Sequence, residues 1–312
     1  MILIGGHRGL GVTDNAFAAE WRDVKNIVPE NTIEALAQAF ADGADFVEFD
    51  VVPAKDGLVV THSARLADHV FPAPAATHTT LLTVAEIAQL TTGHRGAAQD
   101  RIATLDQLLE ALAPIVLARP QRFINLEMKE VQSSGLTWSL DDAMRYARGC
   151  YDSVVRHGLL ERTLFSSFNS ANLQCLLHVA DSAAPQPQIA QLFDVPDGDG
   201  KPIYGDPGLA RYMAFTSENV IWALENMPLA GLNPPNAAFA PDAGGQAAMK
   251  AAQDWCTRHG KPMPGLYVWA WKENPIADSL PIWQAAVEAI EPAPRRALIT
   301  DYPRDLRAAL KL

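Results

Sequence analysis

The chain is short of cysteine, of positive charge and of long apolar runs. Its three cysteines, Cys150, Cys175 and Cys256, are odd in number and lack paired spacing. That excludes a disulfide-stapled secreted fold and predicts reduced, buried thiols in a cytoplasmic protein. Lysine and arginine number 25 against 36 aspartates and glutamates, a formal charge of −11. A nucleic-acid or anionic-membrane surface is therefore not the expected partner, and an anionic substrate needs a local cation. No run approaches the ~18 apolar residues of a membrane span, so no stable membrane anchor is expected. The chain opens directly on a strand-like run, without the basic start and apolar core of a signal peptide. No Ser-, Gly- or Pro-rich linker, charge run or repeat of roughly 20–50 residues divides it.

What remains is 312 residues with 48% apolar content, enough for one large core. Strand-like and helix-like segments alternate. Short apolar runs at residues 1–6, 46–52, 58–61, 123–127, 163–168, 188–193, 266–271 and 297–300 predict strands. Between them, residues 32–41, 84–90, 105–112, 141–157, 170–179, 243–259 and 280–290 carry helical spacing, several begun by a capping threonine, serine or asparagine. Residues 220–222 fit either a strand or a helix, and Gly231-Leu232-Asn233 is a candidate further strand. Repeated β-then-α units with about eight apolar strands predict a parallel sheet closed into a (β/α)8 barrel, a single domain with insertions near residues 10–28, 64–82 and 194–207.

In such a barrel, reactive groups sit where strands end. His7 and Arg8 end the first run. Glu48 and Asp50 are two apart on one strand and so face one way. His62 follows residues 58–61, and Glu127 and Lys129 share a face on a later strand. Three converging carboxylates repel one another in a dry pocket. One hard divalent cation, Mg²⁺ or Ca²⁺, relieves that repulsion and can bind phosphate oxygens. Arg8 offers a planar fork for two such oxygens and Lys129 a point charge. Two histidines titrate in the range needed for a general acid and a general base. His69, His78, His94, His157, His178 and His259 are expected in surface or packing roles, and His94-Arg95-Gly96 repeats the His7-Arg8-Gly9 triplet in a loop without a preceding strand. A small phosphodiester is the substrate this set suggests.

The ordered motifs resemble the glycerophosphodiester phosphodiesterase family. They are His7-Arg8-Gly9, Pro29-Glu30-Asn31-Thr32, Val47-Glu48-Phe49-Asp50-Val51, Asp56-Gly57 with Val59-Val60-Thr61-His62, Ala103-Thr104-Leu105, Glu127-Met128-Lys129, Phe165-Ser166-Ser167-Phe168, Val268-Trp269 and Ile299-Thr300-Asp301-Tyr302-Pro303. The resemblance implies a (β/α)8 barrel that hydrolyses glycerophosphodiesters to sn-glycerol 3-phosphate and an alcohol with one divalent ion. It implies Glu48, Asp50 and Glu127 as metal ligands, His7 and His62 as the acid–base pair, and Arg8 and Lys129 on the phosphate. Trp269 would line the pocket for the organic group or pack the barrel; Glu30 would lie near the site or serve a helix N-terminus. Three departures stand out. Ser63 replaces the family's aspartate after the second histidine, the stretch between Gly9 and Pro29 is long, and Val268-Trp269-Ala270-Trp271 replaces a Trp-Thr pattern. Ala16, Phe17 and Trp21 in the long stretch would suit a lid or an acyl chain. The rivals are a lysophospholipid phosphodiesterase forming a cyclic phosphate, a glycoside hydrolase and a non-catalytic binder.

Overall fold

A computed structural model describes residues 1–10, 28–66, 78–92, 100–129, 138–180, 185–195, 213–241, 243–270 and 276–312. Among them, eight parallel strands close on themselves: β1 (Ile2–Gly6), β2 (Phe46–Pro53), β6 (Phe123–Met128), β7 (Thr163–Ser167), β8 (Gln188–Leu192), β9 (Gly231–Asn233), β10 (Gly265–Trp269) and β11 (Arg296–Thr300). Pairing of β1 with both β11 and β2 shuts the barrel. A small hairpin of β4 (Thr91–Thr92) and β5 (Asp100–Arg101) lies outside it.

The run at residues 58–61 differs from its expected place in the series of parallel strands. It forms β3 (Leu58–Val60), antiparallel to the far end of β2, with Ala54 N–H donating to Gly57 C=O across the turn. A parallel return needs a crossover of roughly a dozen residues, and only Ala54, Lys55, Asp56 and Gly57 separate the two strands. His62 therefore enters from a hairpin laid against β2. Gly231-Leu232-Asn233 takes up the vacant stave as β9.

Alternate residues on each stave serve two cores. On β2, Val47, Phe49 and Val51 face outward and pack with helix residues such as Leu36, Leu108 and Leu112. Phe46 faces inward, with Phe123, Leu164, Ala190, Tyr267, Ala297 and Ile299. Phe46 stacks on Phe123 with centroids 4.4 Å apart, and Tyr267 meets both edge-on. This plug fills the end of the barrel where the strands begin.

Caps start the helices where polar residues meet apolar spacing. Thr32 caps Ile33–Ala41 by accepting from Ala35 N–H. Thr104 with Gln107 and Ser139 with Asp142 form reciprocal capping boxes on Leu105–Leu117 and Leu140–Arg156. Asn169 caps Ser170–Val179, and Gly260, in the left-handed region at φ 59°, ends Gly245–His259. Leu105–Leu117 continues through Pro114, beyond the expected stop at 112, because its apolar face extends to buried Val116. Residues 220–222 fall in the helix Ser217–Asn226, whose Val220, Ala223 and Leu224 bury one face. The three cysteines are free and buried. Among the described residues no helix is long and apolar enough to cross a membrane.

Candidate active site

The inward faces change character along the strands. After Phe46 come Glu48 and Asp50; after Phe123 come Asn125 and Glu127. Asp50 stands beside Glu127 in the β2–β6 register, and Glu48 beside Asn125. The sequence therefore delivers three buried carboxylates to one spot at the strand ends. One oxygen from each of Glu48, Asp50 and Glu127 lies within 4.8 Å of the others.

The turn after β1 brings one cation, Arg8, and the end of β6 brings another, Lys129. Arg8 at φ 48° and Gly9 at φ 84° both adopt the left-handed region and reverse the chain. A Cβ on Gly9 would lie 2.6 Å from the Ala35 backbone, so glycine is needed there. The strained Arg8 backbone N–H donates to Glu48 Oε2 at 2.9 Å. Its guanidinium donates to Glu30 Oε2 at 3.0 Å, and its Nε lies 3.3 Å from Asp50 Oδ2. Glu30 thus answers Arg8, while Thr32 and Glu34 serve the helix start. Lys129 Nζ lies 2.9 Å from Glu127 Oε1 and 3.5 Å from Asp50 Oδ1.

Both expected histidines reach the cluster. His7, just beyond β1, presents Nδ1 to Asp301 Oδ1 at 2.7 Å, with Nε2 4.0 Å from Glu48. Thr61 N–H donates to Asp50 C=O, fixing the start of the His62 segment, and His62 when protonated acts electrostatically on Asp50. Ser63, in place of the family's aspartate, accepts from Arg65 N–H through Oγ, a local turn bond. Trp269 lies farther round the barrel. Its indole N–H donates to Phe193 C=O at 3.2 Å, and its ring meets Phe168 edge-on at 5.7 Å. Lys129 Nζ lies 5.8 Å from the Phe168 ring centroid, so Phe168 links the two sides.

Two residues to which the motifs alone assign no role complete the site. Asn31, also in the left-handed region at φ 59°, grips Asp50 from both sides. Its amide N–H donates to Asp50 Oδ2 at 2.9 Å, and its carbonyl accepts from Asp50 N–H at 3.0 Å. Asp301 orients His7. A helix-opening tetrapeptide and a final strand end give no hint of these partners.

Charge settles unevenly here. Burial pushes the Glu48 carboxyl up to about 8, with the neighbouring Asp50 charge adding to it. Burial likewise raises Glu127. Burial opposes the Asp50 charge too, but Lys129, His62, Arg8 and the Asn31 bond outweigh it and hold Asp50 well below the usual range. For His7, burial and Arg8 favour the neutral ring; Asp301 and Glu48 prevail and raise it to about 9. For Lys129, Glu127 and Asp50 outweigh burial and keep the ammonium charged.

Glu48 Oε1 and Asp50 Oδ1 are buried and accept no hydrogen bond from the described residues. Buried carboxylate oxygens left this way are costly, and an all-oxygen donor set suits a hard divalent cation. These residues fit such an ion.

A sequence profile described as the Glycerophosphoryl diester phosphodiesterase family matches residues 7–234. The chain belongs to that family. Members are phosphodiester hydrolases, and the matched span carries His7, Arg8, Glu48, Asp50, His62, Glu127 and Lys129. Solved structures of similar fold include a glycerophosphoryl diester phosphodiesterase from Silicibacter pomeroyi, at 21% identity and TM-score 0.69, covering 100% of this chain and 93% of that one. Another, from Galdieria sulphuraria, shows 19% identity and TM-score 0.65 over 100% and 98% of the two chains. A glycerophosphodiester phosphodiesterase from Agrobacterium tumefaciens shows 19% identity and TM-score 0.59 over 99% and 100%. No curated protein matches the chain.

Some expectations fall elsewhere. Ala16, Phe17, Trp21, His69 and His94 lie outside the described residues, as does much of each expected insertion. His78 accepts from Thr80 N–H at a turn, His157 meets Asp106, and His259 stacks on Trp255. These are the packing and surface roles expected of them.

Proposed function

We propose that the chain hydrolyses glycerophosphodiesters to sn-glycerol 3-phosphate and an alcohol, with two-histidine acid–base catalysis and one Mg²⁺ or Ca²⁺. The observation that carries this is the buried Glu48–Asp50–Glu127 triad beside Arg8, Lys129 and the His7–Asp301 pair. Glu48, Asp50 and Glu127 would hold the cation, which supplies positive charge against phosphate oxygens as negative charge develops.

Arg8 and Lys129 bind non-bridging phosphate oxygens. His62 takes a proton from the attacking water as its oxygen bonds to phosphorus. The bond from phosphorus to the alcohol oxygen breaks, and His7 delivers its proton to that oxygen. The support for His7 as acid is its Asp301 partner, which keeps the ring charged near neutral pH. Trp269, its N–H already engaged, offers a ring as an apolar wall for the organic group. The three free, buried thiols support a reducing, cytoplasmic setting.

Leaving-group chemistry separates the two histidine roles. On glycerophosphocholine, His7→Ala and His62→Ala should each reduce turnover roughly 10²–10⁴-fold. On a p-nitrophenyl diester, whose leaving group departs without a proton, His7→Ala should recover most of its rate and His62→Ala should not. Near-normal turnover in both variants contradicts the assignment, and a cyclic phosphate as first product contradicts direct hydrolysis.

A further inference from the structure

Asn233 ends β9 on the opposite side of the barrel from the carboxylates, which stand on β2 and β6. Its direction follows from its neighbours. A Cβ built on Gly231 would meet the Tyr267 ring at 2.8 Å and Ala190 Cβ at 3.0 Å, both members of the inward cluster. Leu232 belongs to the outer core. Asn233, two residues beyond Gly231, therefore faces inward at the end of the barrel where His7, Asp50 and Glu127 lie.

The side chain is fully buried, and neither its Nδ2 nor its Oδ1 has a hydrogen-bond partner among the described residues. The surrounding backbone is already committed. Asn233 C=O accepts from Phe193 N–H, and Trp269 N–H donates to Pro234 C=O. Trp269 spends its indole N–H on Phe193 C=O. A buried amide with two donors and an acceptor left over is expensive, of order several kcal/mol, in an apolar setting. Such a residue suits a ligand that both donates and accepts. A hydroxyl does; an acyl chain or a quaternary ammonium does neither.

We infer that Asn233 is the hydroxyl-recognising residue of the site, hydrogen-bonding the glycerol half of the substrate while the β1–β2–β6 side holds the phosphate. This rests on the phosphodiesterase reading of the same site. The barrel supports the division, since its packed interior leaves the ligand over the strand ends and the cationic side chains described lie on the phosphate side.

Binding, not turnover, gives the test. The Ca²⁺-supplemented full chain is melted with sn-glycerol 3-phosphate and, separately, with inorganic phosphate. Wild type should bind glycerol 3-phosphate more tightly than phosphate. Asn233→Leu, with the same side-chain branching and no polar atom, should lose that advantage, roughly tenfold to hundredfold in Kd, while keeping its affinity for phosphate. Its ligand-free Tm should not fall, because an unpartnered amide has been removed. Asn233→Ala, which cannot overfill the space, should give the same loss if the leucine variant does not fold. The proposal is overturned if either folded variant keeps the full glycerol 3-phosphate advantage, or if wild type shows none. A wild-type preference abolished in the variants, in a protein that hydrolyses no glycerophosphodiester, would uphold Asn233 and refute the reaction.

Discussion

Phe46 and Glu48 stand two residues apart on one strand and face the same way, yet they obey opposite physics. Phe46 stacks on Phe123, meets Tyr267 and gains from leaving water. Glu48 is buried beside two other carboxylates, has one oxygen without a hydrogen bond among the described residues and has its carboxyl pushed up to about 8. A barrel tolerates the second because it has the first: the end where strands begin supplies packing, and the end where they finish concentrates charge for a ligand.

Glu48→Gln should break the charged end hardest. Metal-dependent turnover should fall roughly 10³-fold or more, since a bound cation contributes several kcal/mol in the transition state. The melting temperature without metal should hold near neutral pH and rise at alkaline pH, because the amide keeps an acceptor for Arg8 N–H and cannot ionise beside Asp50. Phe46→Ala should do the converse. Unfolding in denaturant should show a loss of about 3–5 kcal/mol, while turnover per folded molecule changes little. If the Phe46 variant loses activity and keeps its stability, the two ends are not separable in this way.

Asp301 sharpens the comparison within the charged end. Its bond to His7 is charge-assisted, so Asp301→Asn should lower kcat roughly tenfold to hundredfold and shift the acidic role of His7 to lower pH, with KM nearly unchanged. Loss of stability without any shift in the pH profile would make Asp301 merely structural.

The smallest expected effect is on stability against pH without metal. The Glu48 carboxyl rises from 4.5 to about 8 in the fold, and His7 from 6.5 to about 9. Each raised group contributes stability that is complete below its unfolded value and disappears as pH passes its folded value. The melting temperature without metal should therefore decline between about pH 5 and 9. Asp50, held low, acts the other way, and its contribution is lost only in strong acid. Saturating Ca²⁺ should flatten the decline by favouring ionised Glu48. A flat profile without metal contradicts the Glu48 and His7 assignments.

The fold is legible in the sequence because its periodicities are local. Alternation along β2 and β6 is enough to put Glu48, Asp50 and Glu127 on inward faces, and caps such as Thr32, Thr104 and Asn169 mark their helices. β3 is legible as a strand but not as a hairpin arm, because its apolar residues carry no record of which edge they join. Asn31, Asp301 and Asn233 do not stand out for a related reason. Each acts on or toward groups that only the fold brings near, and no spacing rule reaches from residue 301 to residue 7. The backbone reversal at Arg8 is equally hidden, since arginine rarely takes a positive φ.

The most direct test is the reaction itself. Purified, folded protein is stripped of metal, then assayed on glycerophosphocholine alone, with Mg²⁺ and with Ca²⁺, with glycerol 3-phosphate detected by a coupled enzyme. We expect release only with a divalent cation, and its loss in Glu48→Gln. No release with either cation, or equal release without one, would contradict the central claim that the Glu48–Asp50–Glu127 cluster holds a metal for phosphodiester hydrolysis.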